Sequence, residues 1–300
     1  MNEAQVQAFW GAHPCGEQFV AGVDDVGYER FFADYDRFRY ERESHIPGCL
    51  DEVDFEGRQV LEIGLGLGAD SEQIIRRGGR WTGIDLTAES VDRVRTRLEL
   101  RNLTYDAVTQ GSVLELPFAD NSFDVVFSHG VLHHVPDIAR AQSEVARVLR
   151  PGGEVVVMLY AKYSLNYLVS VGIVRRLGLI GMYALHRAGL RFGGIYGRHV
   201  ENARRVGLGR YLSMSTFVHR NTDGPDNPYS KVYSLADVRR DFPSFRVERA
   251  HKEFMHAPPL PVARLGLANV AGWHLWVHLR PVGGASDARH TRADDLPLPT

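Results

Sequence analysis

The stretch VLEIGLGLGAD combines closely spaced glycines with an acid and ends a short apolar run. Glycine lets the backbone turn tightly and approach a ligand without a clash, so this stretch is a candidate cofactor loop. Gly64, Gly66 and Ala69 match the spacing of a dinucleotide site, in which a helix N-terminus faces a pyrophosphate. Glu62 followed by alternate glycines, the last of them Gly68, matches instead a loop for S-adenosylmethionine. The loop by itself leaves both cofactors open.

Two acids near the loop bear on this choice. Asp85, at the end of the apolar run WTGID, can accept hydrogen bonds from both hydroxyls of a ribose, which both cofactors contain. Glu62 can meet the ammonium group of S-adenosylmethionine, whereas a nicotinamide cofactor has no use for a negative charge there. Glu62 therefore favours S-adenosylmethionine, but the decision needs the rest of the chain.

Three histidines follow a later apolar run, in the stretch FSHGVLHHVPD. A histidine can take up a proton near neutral pH, so His129, His133 and His134 are candidates for a general base. The side chains of adjacent residues point apart, and no cluster of acids or cysteines accompanies the pair, so no metal site is predicted. We expect one of His133 and His134 to line the cofactor or acceptor pocket and the other to be structural.

The surrounding pattern predicts the elements that must position these residues. From about residue 58, short apolar runs alternate with helical stretches, which is typical of βαβ units and a doubly wound parallel sheet. Ligands of such sheets bind at the carboxyl ends of the strands, where the glycine loop and the histidines both fall. The predicted organisation is a helical cap (1–50), a core (51–160), an inserted lid (161–231), the completion of the sheet (232–280) and a disordered tail (281–300).

An ordered set of motifs makes a resemblance specific: VLEIGLGLGAD, GIDLT, GSVLELPFADNSFDVVFSHGVLHHVPD and RVLRPGG. In this order they resemble class I S-adenosylmethionine-dependent methyltransferases of the ubiquinone-biosynthesis-like group, methyltransferase type 11. The resemblance is dense over residues 58–160 and loose over 232–280. It implies an α/β fold with a seven-stranded, mostly parallel sheet whose last strand is reversed. It also implies S-adenosylmethionine as the cofactor and a methyl transfer to a small molecule.

The resemblance further implies a set of cofactor-binding residues: Glu62, Gly64, Gly66, Gly68, Asp85, Leu86, Ser112, Val113, Leu114, Ser128, His129 and Gly130. Ser112 departs from the family's pattern, which places an acid there to accept from the adenine amino group. Serine accepts such a bond more weakly than a carboxylate does. We therefore expect Leu86, Val113 and Leu114 to hold the adenine mainly by packing, together with backbone groups.

The inserted segment is predicted to shape the acceptor pocket. Candidates for facing the acceptor are Tyr163, Asn166, Tyr167, His219 and Arg220, with Tyr28 of the helical cap. The stretch DNPYS resembles a motif of amino methyltransferases, but it lies far from the fourth strand and is interpreted as a turn.

No apolar run is expected to span a membrane, since the nearest candidate, residues 165–174, ends at two arginines. The same arginines make a membrane-surface role for residues 165–194 the less favoured interpretation.

Composition narrows the function classes. With a net charge of −2 and acids and bases interspersed, the sequence shows no concentration of positive charge that would bind the phosphate backbone of a nucleic acid. Two cysteines, Cys15 and Cys49, make no disulfide framework, and the N-terminus lacks the order of a secretory signal, so a cytoplasmic location is expected. The oligomeric state stays open, with a homodimer as one alternative.

These observations predict methyl transfer to a small-molecule acceptor, with an oxygen nucleophile of a metabolite or natural product favoured over nitrogen or carbon. Two alternatives come from other classes. An NAD-dependent oxidoreductase would use a similar glycine loop, but the chain has no Tyr-x-x-x-Lys motif. A non-catalytic S-adenosylmethionine-binding module would keep the loop without a competent acceptor pocket.

Overall fold

The computed structural model describes residues 2–13, 16 and 20–283. Three helices precede the sheet: α1 (Glu3–Ala12), α2 (Val23–Arg42) and α3 (Ile46–Asp51). Helix α1 begins at Asn2, whose side chain accepts a hydrogen bond from the backbone N–H of Gln5, while the Gln5 side chain accepts from the N–H of Asn2. Phe31, Phe32 and Tyr35 of α2 are buried, and they pack against Leu67 and Ala69, which follow β1.

Strands and helices alternate through the core. Their order is β1 (Gln59–Ile63), α4 (Ala69–Arg76), β2 (Arg80–Asp85), α5 (Ala88–Leu100), β3 (Ala107–Gln110), β4 (Phe123–His129), α6 (Ile138–Val148) and β5 (Leu149–Ala161). Four of the five residues of β1 and all seven central residues of β5 (residues 153–159) are buried, as expected for strands covered on both faces by helices.

Two further groups of elements complete the described chain. The inserted segment contains a π-helical stretch (Asn166–Val174), α7 (Arg175–Arg187), α8 (Gly194–Val206), α9 (Leu208–Tyr211) and α10 (Met214–Thr222). The chain then returns to the sheet with β6 (Val232–Tyr233), α11 (Leu235–Asp241), β7 (Phe245–Glu253), α12 (Ala268–Ala271) and β8 (His274–Pro281).

The sheet has the order β3-β2-β1-β4-β5-β8-β7, and β8 runs antiparallel to both of its neighbours. The reversed last strand and the mostly parallel sheet are confirmed. The number of strands differs from the expected seven, because the two-residue strand β6 pairs with the end of β5 as an eighth. A strand of two residues is too short for any periodicity to reveal it.

The loops at the carboxyl edge of the sheet depend on glycine. Gly64 has φ +80°, and a Cβ at this position would collide with the side chain of Val131. Gly68 caps the start of α4 in the left-handed conformation, with φ +77°. The loop after β1 therefore lies directly against the loop after β4, and this contact brings the glycine motif and the histidine motif together.

The inserted segment has a small core of its own, formed by Val171, Leu179, Val200, Ala203, Tyr211 and Phe217. Its first helix is longer than expected. The sequence pattern ends at Arg175 and Arg176, but the helix continues through them: Asn166–Arg187 is 22 residues long, and its most apolar window of 18 residues has a mean hydropathy of 1.6. By length and composition, this helix could cross a membrane, which corrects the expectation that no run is long enough. Most of the predicted tail, residues 284–300, lies outside the described residues.

Candidate active site

A cavity lies at the carboxyl ends of β1, β2 and β4, where ligands of doubly wound sheets bind. Its wall combines side chains from the N-terminal helices, the glycine loop, the strand ends and the inserted segment. The lining residues include Glu3, Val6, Trp10, Tyr35, Arg39, Glu62, Gly64, Gly66, Asp70, Asp85, Leu86, Gly111, Val113, His129, Gly130, Val131, His134, Met158, Tyr160, Asp223 and His274.

Asp85 connects the loop after β1 with the loop after β2. Its Oδ2 accepts a hydrogen bond of 2.7 Å from the backbone N–H of Leu65. Its Oδ1 accepts from both the backbone N–H and the hydroxyl of Thr87, each at 2.8 Å. Burial raises the pKa of Asp85, and these donors oppose the shift. Asp85 therefore orders the glycine loop in addition to lining the cavity.

Glu62 is buried below the glycine loop, and its Oε2 accepts a 2.7 Å hydrogen bond from the Trp81 indole N–H. Burial, followed by the repulsion of the Asp70 carboxylate, raises the pKa of Glu62 to about 8. A cationic ligand group beside Glu62 would favour the ionised form. The side chain is therefore poised to change its protonation when such a group arrives.

A cluster of three charged or ionisable side chains lies beside Glu62, and only His129 of the three was a sequence candidate. Arg39 of α2 donates from Nη2 to Asp70 Oδ2 at 2.7 Å, and His129 Nδ1 lies 2.8 Å from the same oxygen. Burial by itself would raise the pKa of Asp70, but the attraction of Arg39 and His129 outweighs it and holds this pKa well below its usual range. His129 is thus held in this cluster through its Nδ1 atom.

The wall fits the cofactor that the motifs imply. Arg39 Nε and Asp70 Oδ1 are buried and have no hydrogen-bond partner among the described residues. They offer a donor for the carboxylate and an acceptor for the ammonium group of an amino-acid moiety. A Cβ built on Gly66 would meet no atom within 4 Å, so the loop leaves open space at this point of the wall.

Ser112 does not line the cavity; instead, its hydroxyl donates to Oε1 of Glu3 and accepts from the backbone N–H of Leu114 at 2.9 Å. Glu3 itself lines the cavity. Helix α1 thus supplies a carboxylate next to the position at which the resemblance implies an acid. Sequence reasoning missed Glu3, because nothing in the pattern of α1 shows where this helix docks.

The structure separates the two adjacent histidines. His134 lines the cavity, whereas His133 is fully buried outside it, with its ring 3.8 Å from the Tyr160 ring between centroids. Burial holds the pKa of His133 well below its usual range, so this ring stays neutral. Neither nitrogen of His133 has a hydrogen-bond partner among the described residues.

His134 has a defined orientation. Its Nδ1 lies 2.7 Å from the carbonyl oxygen of Tyr229, which can only accept, so Nδ1 carries the proton of the neutral ring. Its Nε2 is buried and has no hydrogen-bond partner among the residues that the structure describes. Asp223 Oδ2 lies 3.5 Å from Nε2, and the Tyr160 hydroxyl donates to Asp223 Oδ1 at 2.8 Å.

The turn that follows α10 fixes the position of Asp223 beside His134. Asn227 is fully buried, and its amide donates to Thr222, Asp223 and Ser230 at 3.2, 3.3 and 2.7 Å. Sequence analysis assigned this stretch to a turn-rich loop and gave Asp223 and Asn227 no role. The clustering of asparagine and aspartate was the available signal, but it does not show which histidine the turn would meet.

Three further candidates for the cofactor site have structural contacts outside the cavity lining. Gly68 caps α4, Ser128 donates to the carbonyl of Ile63 at 3.0 Å, and Leu114 packs on the hydrophobic core. None of these three lines the cavity, whereas Leu86, Val113 and Gly130 do. Among the described residues, no three His, Cys, Asp or Glu side chains gather as a metal site would require.

None of the six acceptor candidates lines this cavity. Tyr163 is 59% exposed, and Tyr28 stacks on Phe32 at the surface. Asn166, Tyr167, His219 and Arg220 pack within or beside the inserted segment, where His219 Nδ1 meets the backbone of Ser230 and Arg220 donates to the Pro225 carbonyl. Asp223 is the residue by which the inserted segment reaches the cavity wall, and sequence analysis did not select it.

Part of the chain is similar in sequence to known proteins. A family model described as a methyltransferase domain matches residues 61–157. The fatty-acid O-methyltransferase of Mycolicibacterium smegmatis is 38% identical over 104 residues, which cover 34% of this chain and 37% of that protein. A phthiotriol/phenolphthiotriol dimycocerosates methyltransferase of Mycobacterium tuberculosis has the same identity over the same shares. The chain thus spans less than half the length of these relatives.

The fold also has counterparts among solved structures. A SAM-dependent methyltransferase from Methanosarcina mazei superimposes with a TM-score of 0.52 and 17% identity, covering 78% of this chain and 97% of that one. At this identity, the likeness concerns the fold alone. The match to the family model covers the glycine loop, Asp85 and the histidine motif. Over residues 61–157, the chain is therefore similar to methyltransferase domains of the type 11 family, and this similarity implies S-adenosyl-L-methionine as the cofactor.

Proposed function

We propose that the protein transfers a methyl group from S-adenosyl-L-methionine to an oxygen atom of a small, lipid-like acceptor, and that His134 takes up the acceptor's proton. The observation that carries this proposal is the environment of His134 Nε2, a nitrogen of the cavity wall that is buried and has no hydrogen-bond partner among the described residues. With the ring proton on Nδ1, His134 Nε2 can accept a hydrogen bond but receives none from the described residues. A hydroxyl group of the substrate could donate its hydrogen bond to this nitrogen.

The neighbours of His134 suit it to the role of a base. The hydrogen bond from Nδ1–H to the Tyr229 carbonyl keeps the neutral ring in the tautomer that leaves Nε2 able to accept a proton. Asp223, 3.5 Å from Nε2, would stabilise the imidazolium formed when the proton arrives. Tyr160 donates to the other oxygen of Asp223 and so holds the carboxylate in position. A positioned base contributes about 10²–10⁴-fold to a rate.

The remaining residues act by alignment. The cofactor, when bound, supplies an electrophilic methyl group on its sulfonium. Arg39, Asp70 and Glu62 would fix the amino-acid end of the cofactor, and Asp85 its ribose. Holding two reactants in the reactive orientation can lower the activation free energy by roughly 7–11 kcal/mol. The residues that would hold the cofactor and the proposed base line one cavity, which is the arrangement that such alignment requires.

The acceptor is proposed to be largely apolar. The cavity wall includes Val6, Trp10, Val131, Val135 and Met158 beside its polar groups. One relative named above is described as a fatty-acid O-methyltransferase and the other as a phthiotriol/phenolphthiotriol dimycocerosates methyltransferase. The first description supports an apolar acceptor with an oxygen nucleophile. Transfer to nitrogen or carbon is the alternative. The cofactor of the family removes the nicotinamide alternative, whereas a non-catalytic module would lack the effect of the base described next.

His134→Gln tests the proposal. With long-chain alcohols or phenols as acceptors, we expect the variant to lose about 10²–10⁴-fold in kcat at neutral pH, because glutamine cannot take up the proton of the hydroxyl. With long-chain carboxylic acids, which are already ionised, the loss should be small. Affinity for the cofactor, measured by calorimetry, should be unchanged. His186→Gln, which removes a histidine of α7 outside the cavity wall, is the matched control.

Two results would contradict the proposal. One is a His134→Gln variant that methylates hydroxyl acceptors at the rate of the unmodified protein. The other is methylation of amines but not of alcohols, phenols or carboxylic acids. The cytoplasmic location, the homodimer and a place in secondary metabolism stay predictions.

A further inference from the structure

An apolar face runs along the first helix of the inserted segment and is left uncovered by the described chain. It consists of Leu168, Ile173, Leu177 and Ile180, each between 43% and 64% exposed, and is called the lid face here. Its members are five residues apart across the π-helical stretch and then four and three apart in α7. An interval of five residues matches the turn of a π-helix, and intervals of four and three match that of an α-helix, so the four side chains share one side of the helix.

The opposite side of the same helix is fixed to the protein. Ser170, Val171 and Leu179 are buried there. Arg175 donates to the carbonyl oxygens of Pro258 and Asn221 at 3.0 and 2.5 Å. The helix therefore has one side anchored in the fold and one apolar side directed to the solvent. Large exposed apolar surfaces of this kind mark interaction sites.

The charge around the lid face has a single sign. Residues 155–200 contain six Lys and Arg residues and no Asp or Glu, although the chain as a whole has a net charge of −2. Arg187 and Arg191, at and just beyond the end of α7, are exposed and have no ion-pair partner among the described residues. The apolar face is thus bordered by unpaired positive charge, which is complementary to an anionic surface.

We propose that the lid face docks on the surface of an anionic lipid bilayer. Leu168, Ile173, Leu177 and Ile180 would enter the boundary between headgroups and acyl chains, while Arg187 and Arg191 contact lipid phosphates. A helix with an apolar face and flanking arginines is suited to this interfacial position. Each basic residue near an anionic membrane surface strengthens such binding. The proposal is independent of the methyl transfer, since none of these residues lines the cavity.

The same helix is less suited to span the bilayer. Its 22 residues would reach about 33 Å, which is long enough. However, Arg175 and Arg176 lie near its middle, and charges at the centre of a bilayer are costly. A spanning helix would also have to leave the contacts that Val171, Leu179 and Arg175 make with the rest of the protein. Surface docking keeps these contacts intact.

Co-sedimentation with vesicles tests the docking. The full-length protein is mixed with vesicles of phosphatidylcholine alone or of phosphatidylcholine with phosphatidylglycerol. We expect binding to the anionic vesicles that weakens as salt is raised. Leu177→Asp/Ile180→Asp should reduce the partition coefficient by at least about tenfold, because two apolar side chains no longer enter the lipid. Arg187→Glu/Arg191→Glu should reduce it similarly, with less effect at high salt.

Leu100→Asp is the matched control, since Leu100 is 47% exposed at the end of α5 in the core. It should bind the vesicles as the unmodified protein does, and every variant should keep its cofactor affinity as evidence of an intact fold. Equal binding to both kinds of vesicle, or no binding to the anionic ones, would overturn the proposal. So would resistance to alkaline carbonate extraction, which indicates a spanning helix, or a dimer in solution that Leu177→Asp/Ile180→Asp dissociates.

Discussion

At the scale of single residues, Asp85 has two tasks that share the same carboxylate. Both of its oxygens accept hydrogen bonds from the loops on either side, at 2.7 and 2.8 Å. The proposed ribose contacts would use the remaining lone pairs of these oxygens. A substitution at Asp85 therefore affects the shape of the glycine loop and the ligand together.

We expect Asp85→Ala to weaken the binding of S-adenosylmethionine by more than about tenfold, because ribose hydroxyls and loop N–H groups lose a shared acceptor. Asp85→Asn should lose less affinity, since one acceptor oxygen remains. Calorimetric titration measures both variants, and thermal unfolding checks their fold. An Asp85→Ala variant that folds normally and binds the cofactor with full affinity would remove Asp85 from the site.

Glu62 makes stability depend on pH. Its folded pKa is about 8, above the ordinary value of 4.5, so folding takes up a proton between these two values. The contribution of Glu62 to stability is therefore fully present below about pH 4.5 and is lost as the pH rises to about 8. Glu62→Gln should remove this loss, so that the variant exceeds the unmodified protein by a few kcal/mol at pH 8.5 and differs little near pH 4.5.

Urea unfolding at the two pH values measures the effect of Glu62→Gln. The same variant should bind S-adenosylmethionine more weakly, because the ammonium group loses a carboxylate partner. A stability difference that does not change with pH would show that Glu62 ionises normally in the folded protein.

At the scale of elements, helix α1 closes one side of the cavity through Glu3, which accepts from the Ser112 hydroxyl. A carboxylate at position 112 would therefore lie against another carboxylate. We expect Ser112→Asp to weaken cofactor binding and to lower the melting temperature. Ser112→Asp/Glu3→Gln should recover both, since only one charge then remains. Failure of the second substitution to recover the affinity would show that α1 does not cover the cofactor site.

The turn after α10 is the second element that completes the site. Asn227→Ala removes three donated hydrogen bonds, and Asp223 and the Ser230 hydroxyl lose a fixed partner. We expect kcat with a hydroxyl acceptor to fall by about tenfold or more, because small losses of alignment are costly. The cofactor affinity should stay the same, since Asn227 does not line the cavity. An equal loss of cofactor affinity would indicate a general collapse of the insertion instead.

At the scale of the whole molecule, the parts that could be predicted from sequence are those that depend on neighbours in the chain. The sheet, the glycine loop and Asp85 follow from apolar periodicity and from motifs within a few residues. The remaining contributions, including those of Arg39 and Asp223, depend on how distant elements dock. Arg39 meets Asp70 across 31 positions, and Asp223 meets His134 across 89 positions. Periodicity carries no information on such contacts, so the acceptor candidates were chosen by residue type and lie elsewhere.

The central claim is that this cavity moves a methyl group from S-adenosylmethionine to oxygen. The most direct measurement uses S-adenosylmethionine labelled with a trideuteromethyl group, a panel of long-chain alcohols, phenols, carboxylic acids and amines, and mass spectrometry of the products. We predict that the label appears on an oxygen atom of one of these acceptors, and that excess unlabelled cofactor suppresses it. A label found on nitrogen or carbon, or no transfer to any of these acceptors by a protein that binds the cofactor, would contradict the account.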